Sequence, residues 1–586
     1  MAQSDARFGY RAKLGRTDHN LSQPFGFTCA PGMLLPIWED FATPGDSYYI
    51  QHDLPLLRSN VLVAPSMVDV KVHYETFFVP IQMIYQPFEN ANFSISPYLS
   101  SFIVSANENQ GVLPLLDYAA SLRNITNVKY KFEAFRLIDM LGLQAENVCD
   151  DPGGAGVPHK GGLTDYLPNF FPWQLCAYHC IFQNYYRLDD KSLYYNFYNL
   201  DSFHGMSTFN QSNLFLLRYR AWDFDYYTSM YRSPIISNDN VNDILPSASY
   251  NPLSSLMTNG RNINGSATVI PNSISSFGPE YFGASSSTNN YYAMNTVMIR
   301  QMFANEKLAM ITGRTKKNYD SQVLAHYGVS VPHDVKHDIT LLKHDVYDLH
   351  VQEVTSLSAT NDAPLGDLAG KSYASGQGKQ FKFTAPCHGV IMTIFSIEPK
   401  RRYIGGFDRI NAVTDTFSLP TPEFDRLGNT PMYGFECGKL IDDSSAWNAS
   451  DIIGWKERYY QWKRKPAKCT LFALNPNQTN FYGSFFLASR PFAFVRNTQL
   501  PTQQGGTVGA DAPKPQNEEE FYINPAFFDN LCTVNYQPNW QANGFNNEDW
   551  NYSPWLAYAR DPFIVDSFIK CKKVSWMSKD GEPIYD

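Results

Sequence analysis

Hydrophobic and polar positions alternate most clearly in DVKVHYETFFVP. There Val70, Val72 and Tyr74 stand between polar neighbours before the run closes on Phe77, Phe78 and Val79. Period two is the signature of a half-buried strand, and Pro80 is placed to end it because proline cannot donate to a ladder. MLLPIWEDFATPGDSYYI predicts two further strands around a Pro44-Gly45-Asp46 turn. GVIMTIFSIEP (389–399) is a nearly continuous run of apolar strand formers, as a doubly covered strand requires. KCTLFAL, GSFFLASRPFAFV and the terminal DPFIVDSFIKCKKVSW add three more. Helical spacing shows in two places. In LPNFFPWQLCAYHCIFQNYYR, residues Trp173, Cys176, Ala177, Cys180 and Ile181 form one apolar stripe. Downstream, Asn295 or Thr296 can cap a helix carrying Ile299, Met302, Phe303, Glu306 and Met310, with Gly313 to close it.

Between these elements lie long polar stretches. Residues 1–30 read as a basic N-terminal arm with Arg7, Arg11, Lys13 and Arg16 and no periodicity. DDPGGAGVPHKGG (150–162) is a glycine-rich loop. Residues 234–290 are dominated by Ser, Asn and Gly, and are too long for an ordinary connection. Residues 501–520 form another polar loop. Early strands, long interruptions and late strands predict one mainly β unit over 1–586, a β-sandwich with large loop and helical insertions.

Composition narrows the function. Aromatic residues make up 15% of the chain and charged residues only 18%, which suits sticky, ordered loops and interfaces. Net charge is −9, so any nucleic-acid contact must be a local basic patch. Nine cysteines at scattered spacings are no disulfide framework and fit a reducing compartment. The N-terminus shows no secretory signal, and no apolar run reaches the length of a membrane span.

Four motifs could carry chemistry. GDLAGKS (366–372) resembles a phosphate loop, but Gly366 and Gly370 enclose three residues where that loop needs four. Its flanks supply neither a buried strand nor a helix, so Lys371 reads as a solvated loop lysine. In CAYHC, Cys176, His179 and Cys180 read as core packing, because no second ligand pair of zinc-like spacing follows. His333, Asp334, His337 and Asp338 in HDVKHD read as a solvated loop after Pro332. No metal, cofactor or catalytic site is expected. The fourth motif is WKERYYQWKRKPAK (455–468), where Lys456, Arg458, Lys463, Arg464, Lys465 and Lys468 interleave with Trp455, Tyr459, Tyr460 and Trp462. Basic groups neutralise phosphates and aromatic faces stack on unpaired bases, so this stretch reads either as a nucleic-acid contact or as an amphipathic segment with a wet face.

The order of landmarks along the chain decides more than any one of them. PGMLLPI, FFVP, LPNFFPWQLCAYHCIFQNYYR, RAWDFDYYTS, MIRQMFANEKLAMITGR, PLGDLAGKSYASGQG, HGVIMTIFSIEPKRRY, PEFDRLGNTPMY, GWKERYYQWKRKP and DPFIVD follow one another from end to end. In this the chain resembles the major capsid proteins of the Microviridae, small tailless phages with single-stranded DNA, and most nearly the gokushovirus-like branch. The resemblance explains GDLAGKS as part of a family loop whose glycines serve tight turns. It implies an eight-stranded jelly roll, no enzymatic activity, and pentamers that close into a T=1 icosahedral shell around circular single-stranded DNA. The implied partners are other copies of the chain, the genome, a small basic DNA-binding virion protein, a scaffolding protein and a host cell-surface receptor. The implied location is the virion, assembled in the bacterial cytoplasm. By position, 234–290 would be the surface protrusion, with Asn251, Asn259, Asn262, Tyr281 and Phe282 as host contacts. DNA contacts would fall on Lys456, Arg458, Trp462, Lys463, Arg464 and Lys465 and on the arm residues Arg7, Arg11 and Arg16. Two stretches, 501–520 and 539–555, are longer than the family pattern. A carbohydrate-binding jelly roll or receptor-binding phage module is the alternative; it suits the aromatic content but leaves the ordered landmarks unexplained.

Overall fold

Among the described residues, strands form where the apolar patterning predicts them and also where glycine hides the pattern. The computed structural model describes most of residues 16–85, 113–143, 169–231, 338–437, 452–469, 521–525 and 561–575. In chain order its strands are β1 (Thr17–Asn20), β2 (Gln23–Cys29), β3 (Leu35–Ala42), β4 (Ser47–Ser59), β5 (Val70–Pro80), β6 (Leu115–Leu116), β7 (Thr208–Phe209), β8 (Thr340–Asp348), β9 (His350–Thr355), β10 (Leu368–Gln377), β11 (Phe381–Thr384), β12 (Gly389–Pro399), β13 (Asn429–Tyr433), β14 (Ile452–Glu457) and β15 (Phe563–Ser575).

Two antiparallel sheets carry the core. One has the order β3-β12-β5-β8; the other runs β1-β15-β4-β10-β9, with β2 also on β15 and β11 also on β4. Taking β2, β15, β4 and β10 against β3, β12, β5 and β8, the outermost strands in sequence pair with one another in nested fashion. That is the strand order of a jelly roll. Side chains from the two sheets meet between them: Phe27 on β2 packs edge-on against Phe395 on β12 at 5.0 Å, and Tyr74 on β5 donates to Ser567 Oγ on β15 at 3.1 Å. His52 on β4 bridges the layers as well, with Nε2 2.7 Å from Thr76 Oγ1 and Nδ1 2.9 Å from Asp345. A buried polar group in such a layer is tolerated because it is satisfied on both sides.

The predicted half-buried strand over 70–80 is buried almost throughout, with Lys71 the one partly exposed residue. Its outer face is covered by the helix Trp173–Ile181 and a following π-helical turn, Phe182–Tyr186. Of the apolar stripe of that helix, Cys176, Ala177, Cys180 and Ile181 are buried as predicted and Trp173 is half-buried. Cys176 and Cys180 pack in the core. His179 Nε2 donates to Leu214 O at 2.7 Å, and Nδ1 accepts from Arg218 at 3.2 Å. Burial first, and then the neighbouring guanidinium, hold His179 well below its usual pKa. Both ring nitrogens are thus engaged by the protein.

Three expectations need correction. The arm over 1–30 is not wholly irregular: Thr17–Asn20 and Gln23–Cys29 are strands on β15, and Phe25, Phe27 and Cys29 turn inward at period two. The late strands begin at Thr340, well ahead of GVIMTIFSIEP, where the apolar patterning first marks them. From Leu368 onward GDLAGKS is not a loop of tight turns, because Leu368–Gln377 is a strand paired with β4 and β9. Neither Gly370 nor Gly376 has a positive φ. Glycine serves close approach instead, since a Cβ on Gly376 would overlap the Tyr347 ring. Gly376→Ala should therefore lower stability by about 1–3 kcal/mol through overpacking, read as a lower denaturant midpoint; an unchanged midpoint would show that Tyr347 yields freely. Lys371 is exposed on this strand.

The remaining predicted segments (KCTLFAL beyond Cys469, GSFFLASRPFAFV, the helix over 295–313, and 150–162) lie outside the described residues, as does HDVKHD except for Asp338. All described cysteines are free thiols. Among the described residues no helix is long and apolar enough to cross a membrane.

Candidate nucleic-acid interface

The basic aromatic segment is built on a small second core. Strands β13 and β14 form an antiparallel hairpin, and the chain turns at Tyr459 (φ 61°) into the short helix Tyr460–Lys463. Beneath it cluster Tyr226, Tyr227, Met230, Tyr403, Met432, Ile453, Tyr460 and Phe521. Two carboxylates, the buried Glu436 and the half-buried Asp225, organise these rings. Glu436 accepts from Tyr460 and pairs with Arg409 at 3.0 Å, while Asp225 accepts from Tyr403 and caps the Tyr226–Ser229 turn through the Tyr227 and Thr228 amides, each at 2.8 Å. RAWDFDYYTS thus works as a floor for the basic segment.

This floor divides the predicted contact residues. Lys456 points down, being 3% exposed. Its ammonium donates to Ser229 Oγ at 2.6 Å and lies 5.3 Å from the Tyr226 ring centre and 5.6 Å from that of Tyr460. Burial pushes its pKa down to about 8, against the pull of Asp225. Its stem and head therefore belong to the core. Arg458 is half-buried, with its guanidinium 5.2 Å from the Tyr459 ring.

Trp462, Lys463, Arg464 and Lys465 face outward in one consecutive exposed run. Trp462 is 40% exposed, a large indole face open to solvent. Lys463 is paired with Asp425 at 2.6 Å, and Arg464 lies 3.5 Å from Glu457. Both pairs are solvent-exposed, so they hold the side chains weakly and leave them available to a phosphate. Lys468, further on, pairs with Asp408. The arrangement offers one stacking face and three cations within four residues, a short strip that fits an unpaired strand. Periodicity had no means of separating Lys456 from its neighbours, because the β14 register that turns it inward is set by pairing with Thr430.

Of the arm residues, Arg16 is exposed just ahead of β1, whereas Arg7 and Arg11 lie outside the described residues. So do Asn251, Asn259, Asn262, Tyr281 and Phe282, the 234–290 insertion from its first residue to its last, and both 501–520 and 539–555.

Comparison with known proteins agrees with this architecture. A family model described as "Capsid protein (F protein)" matches residues 10–138 and 167–497. Capsid protein VP1 of Chlamydia phage 1 is 23% identical over 548 residues, covering 80% of this chain and 86% of that protein. The matched segments include nearly all strands of both sheets and the floor and strip just described; the gap in the family match, 139–166, falls on the glycine-rich stretch. The chain belongs to the phage capsid (F protein) family, of the Microviridae type, and its role is structural, not enzymatic.

Proposed function

We propose that this chain assembles through pentamers into a T=1 icosahedral shell enclosing circular single-stranded DNA. The observation that carries this reading is the family match through both sheets, on a chain whose predicted insertions fall between strands. The outward strip Trp462-Lys463-Arg464-Lys465 supplies a genome contact, with Arg7, Arg11 and Arg16 of the N-terminal segment as a second one. A net charge of −9 leaves the genome's phosphates mostly unneutralised, which fits a small basic virion protein as co-packaged partner. Assembly takes place in the bacterial cytoplasm, with a scaffolding protein as helper.

Replacing Lys463, Arg464 and Lys465 together by Gln should lower packaged DNA and leave the empty shell intact. It should also flatten the log–log salt dependence of single-strand binding by about 2, at roughly 0.7 per cation. Packaging at the parental level would make the strip structural.

The insertion 234–290 serves host attachment, because its Ser, Asn and Tyr content suits an exposed, adaptable contact surface. Deleting 240–288 should give particles that assemble but fail to adsorb to cells. Loss of assembly would assign the segment to subunit contacts instead.

A further inference from the structure

On the outer face of the β3-β12-β5-β8 sheet, three potential metal donors converge from two neighbouring strands. His73 and Glu75 lie two residues apart on β5 and so point to the same side. His344 on β8 is the direct cross-strand partner of Glu75. His73 Nδ1 is 2.9 Å from His344 Nε2, and His344 Nε2 is 3.5 Å from Glu75 Oε1. Ligand atoms on a tetrahedral ion with bonds near 2.1 Å stand roughly 3.4 Å apart, between these two values.

The surroundings assign each donor its state. Glu75 is fully buried, and its Oε2 is taken by Arg220 Nη1 at 2.8 Å and by the Tyr186 hydroxyl. Oε1 has no hydrogen-bond partner, although it is a buried carboxylate oxygen aimed at the two imidazoles. Such an orphan costs free energy unless something fills its lone pair. His73 Nε2 lies 2.9 Å from Glu398 Oε2, so that its Nδ1 is the nitrogen turned toward His344. A carboxylate behind a ligating histidine is the usual second layer of a zinc site. Two carboxylates and one guanidinium give the pocket a net negative charge. His344 is partly open, its side chain 34% exposed, so an ion has a way in.

We propose that His73 Nδ1, His344 Nε2 and Glu75 Oε1 form a binding site for a divalent transition-metal ion of the zinc class, with water completing the coordination. The ion takes the place of the proton that His344 Nε2 would otherwise direct at His73 Nδ1, and the neutral ring carries its one proton on Nδ1 instead, by exchange with solvent. Softness and geometry select zinc, cobalt or nickel over magnesium or calcium, which prefer all-oxygen shells. The bound ion clamps β8, the edge strand of its sheet, onto β5. This inference is independent of the shell reading.

Co2+ is the probe of choice, titrated into the full-length protein, because its absorption reports its ligands. The parent chain should bind one Co2+ with weak d–d bands and no thiolate charge-transfer band, and should melt at a higher temperature with Zn2+ than with EDTA. His344→Ala, at an exposed position, should fold normally yet lose at least tenfold in Co2+ affinity and all of the Zn2+-dependent shift. His344→Cys should restore binding and add a thiolate band. Lys343→Ala, next to the site, should change nothing. Parental affinity in His344→Ala, a thiolate band in the parent, or no binding by the parent at millimolar Co2+ would each overturn the proposal.

Discussion

Arg220→Met should destabilise the subunit by about 3–5 kcal/mol, the cost of leaving buried carboxylates without their cation. The guanidinium bridges Glu75 Oε2 at 2.8 Å and Glu398 Oε2 at 3.1 Å and also donates to Ser396 Oγ at 3.2 Å. Burial works against its charge, yet the two carboxylates and Tyr186 hold its pKa above the ordinary arginine value. Methionine fills much of the same volume, so the loss is electrostatic rather than a cavity. Removing one carboxylate as well separates the two effects. Arg220→Met with Glu75→Gln should be less destabilised than the sum of the single variants, because contacting groups couple. Denaturant unfolding of all three checks this, and strict additivity would mean that Arg220 does not hold Glu75.

Glu39→Gln should do the opposite and stabilise the protein at high pH. Glu39 sits on β3 beneath the helix Trp173–Ile181, where Gln174 Nε2 donates to its Oε1 at 2.9 Å. Burial, opposed by that hydrogen bond and reinforced by the neighbouring Asp40, raises its pKa from 4.5 to about 7. A carboxyl whose folded pKa is raised favours the fold fully below its unfolded value, near pH 4.5, and loses that advantage as pH climbs through 7. The shift corresponds to about 3 kcal/mol. Gln keeps the acceptor for Gln174 and never ionises. Its benefit should therefore be near zero at pH 4 and about 2–3 kcal/mol at pH 8. A pH-independent difference would show that Glu39 does not titrate in this window.

These two sites also mark where sequence stops being informative. The apolar runs of β5, β12 and β15 are legible because hydrophobic burial leaves a one-dimensional trace. β10 is not, since Gly370, Gly376 and the polar residues between them resemble a loop until Tyr347 is seen lying over Gly376. β2 hides behind Pro24 and Gly26, although Phe25, Phe27 and Cys29 carry the period. The basic run after Trp455 is plain in sequence, but which of its cations face water depends on β14 pairing and on the tyrosine floor from 226–227, 403 and 460. The His73–Glu75–His344 cluster leaves no local signal at all: its two histidines are 271 positions apart, whereas the suggestive HDVKHD supplies none of its ligands. Landmark order succeeded for family where no single motif could, because a shared order over most of a chain is improbable by chance.

Electron microscopy of the purified, assembled protein tests the central claim most directly. The account predicts uniform small icosahedral shells with surface projections, absent after deletion of 240–288. Discrete monomers or trimers that bind glycans and never close into shells would contradict it.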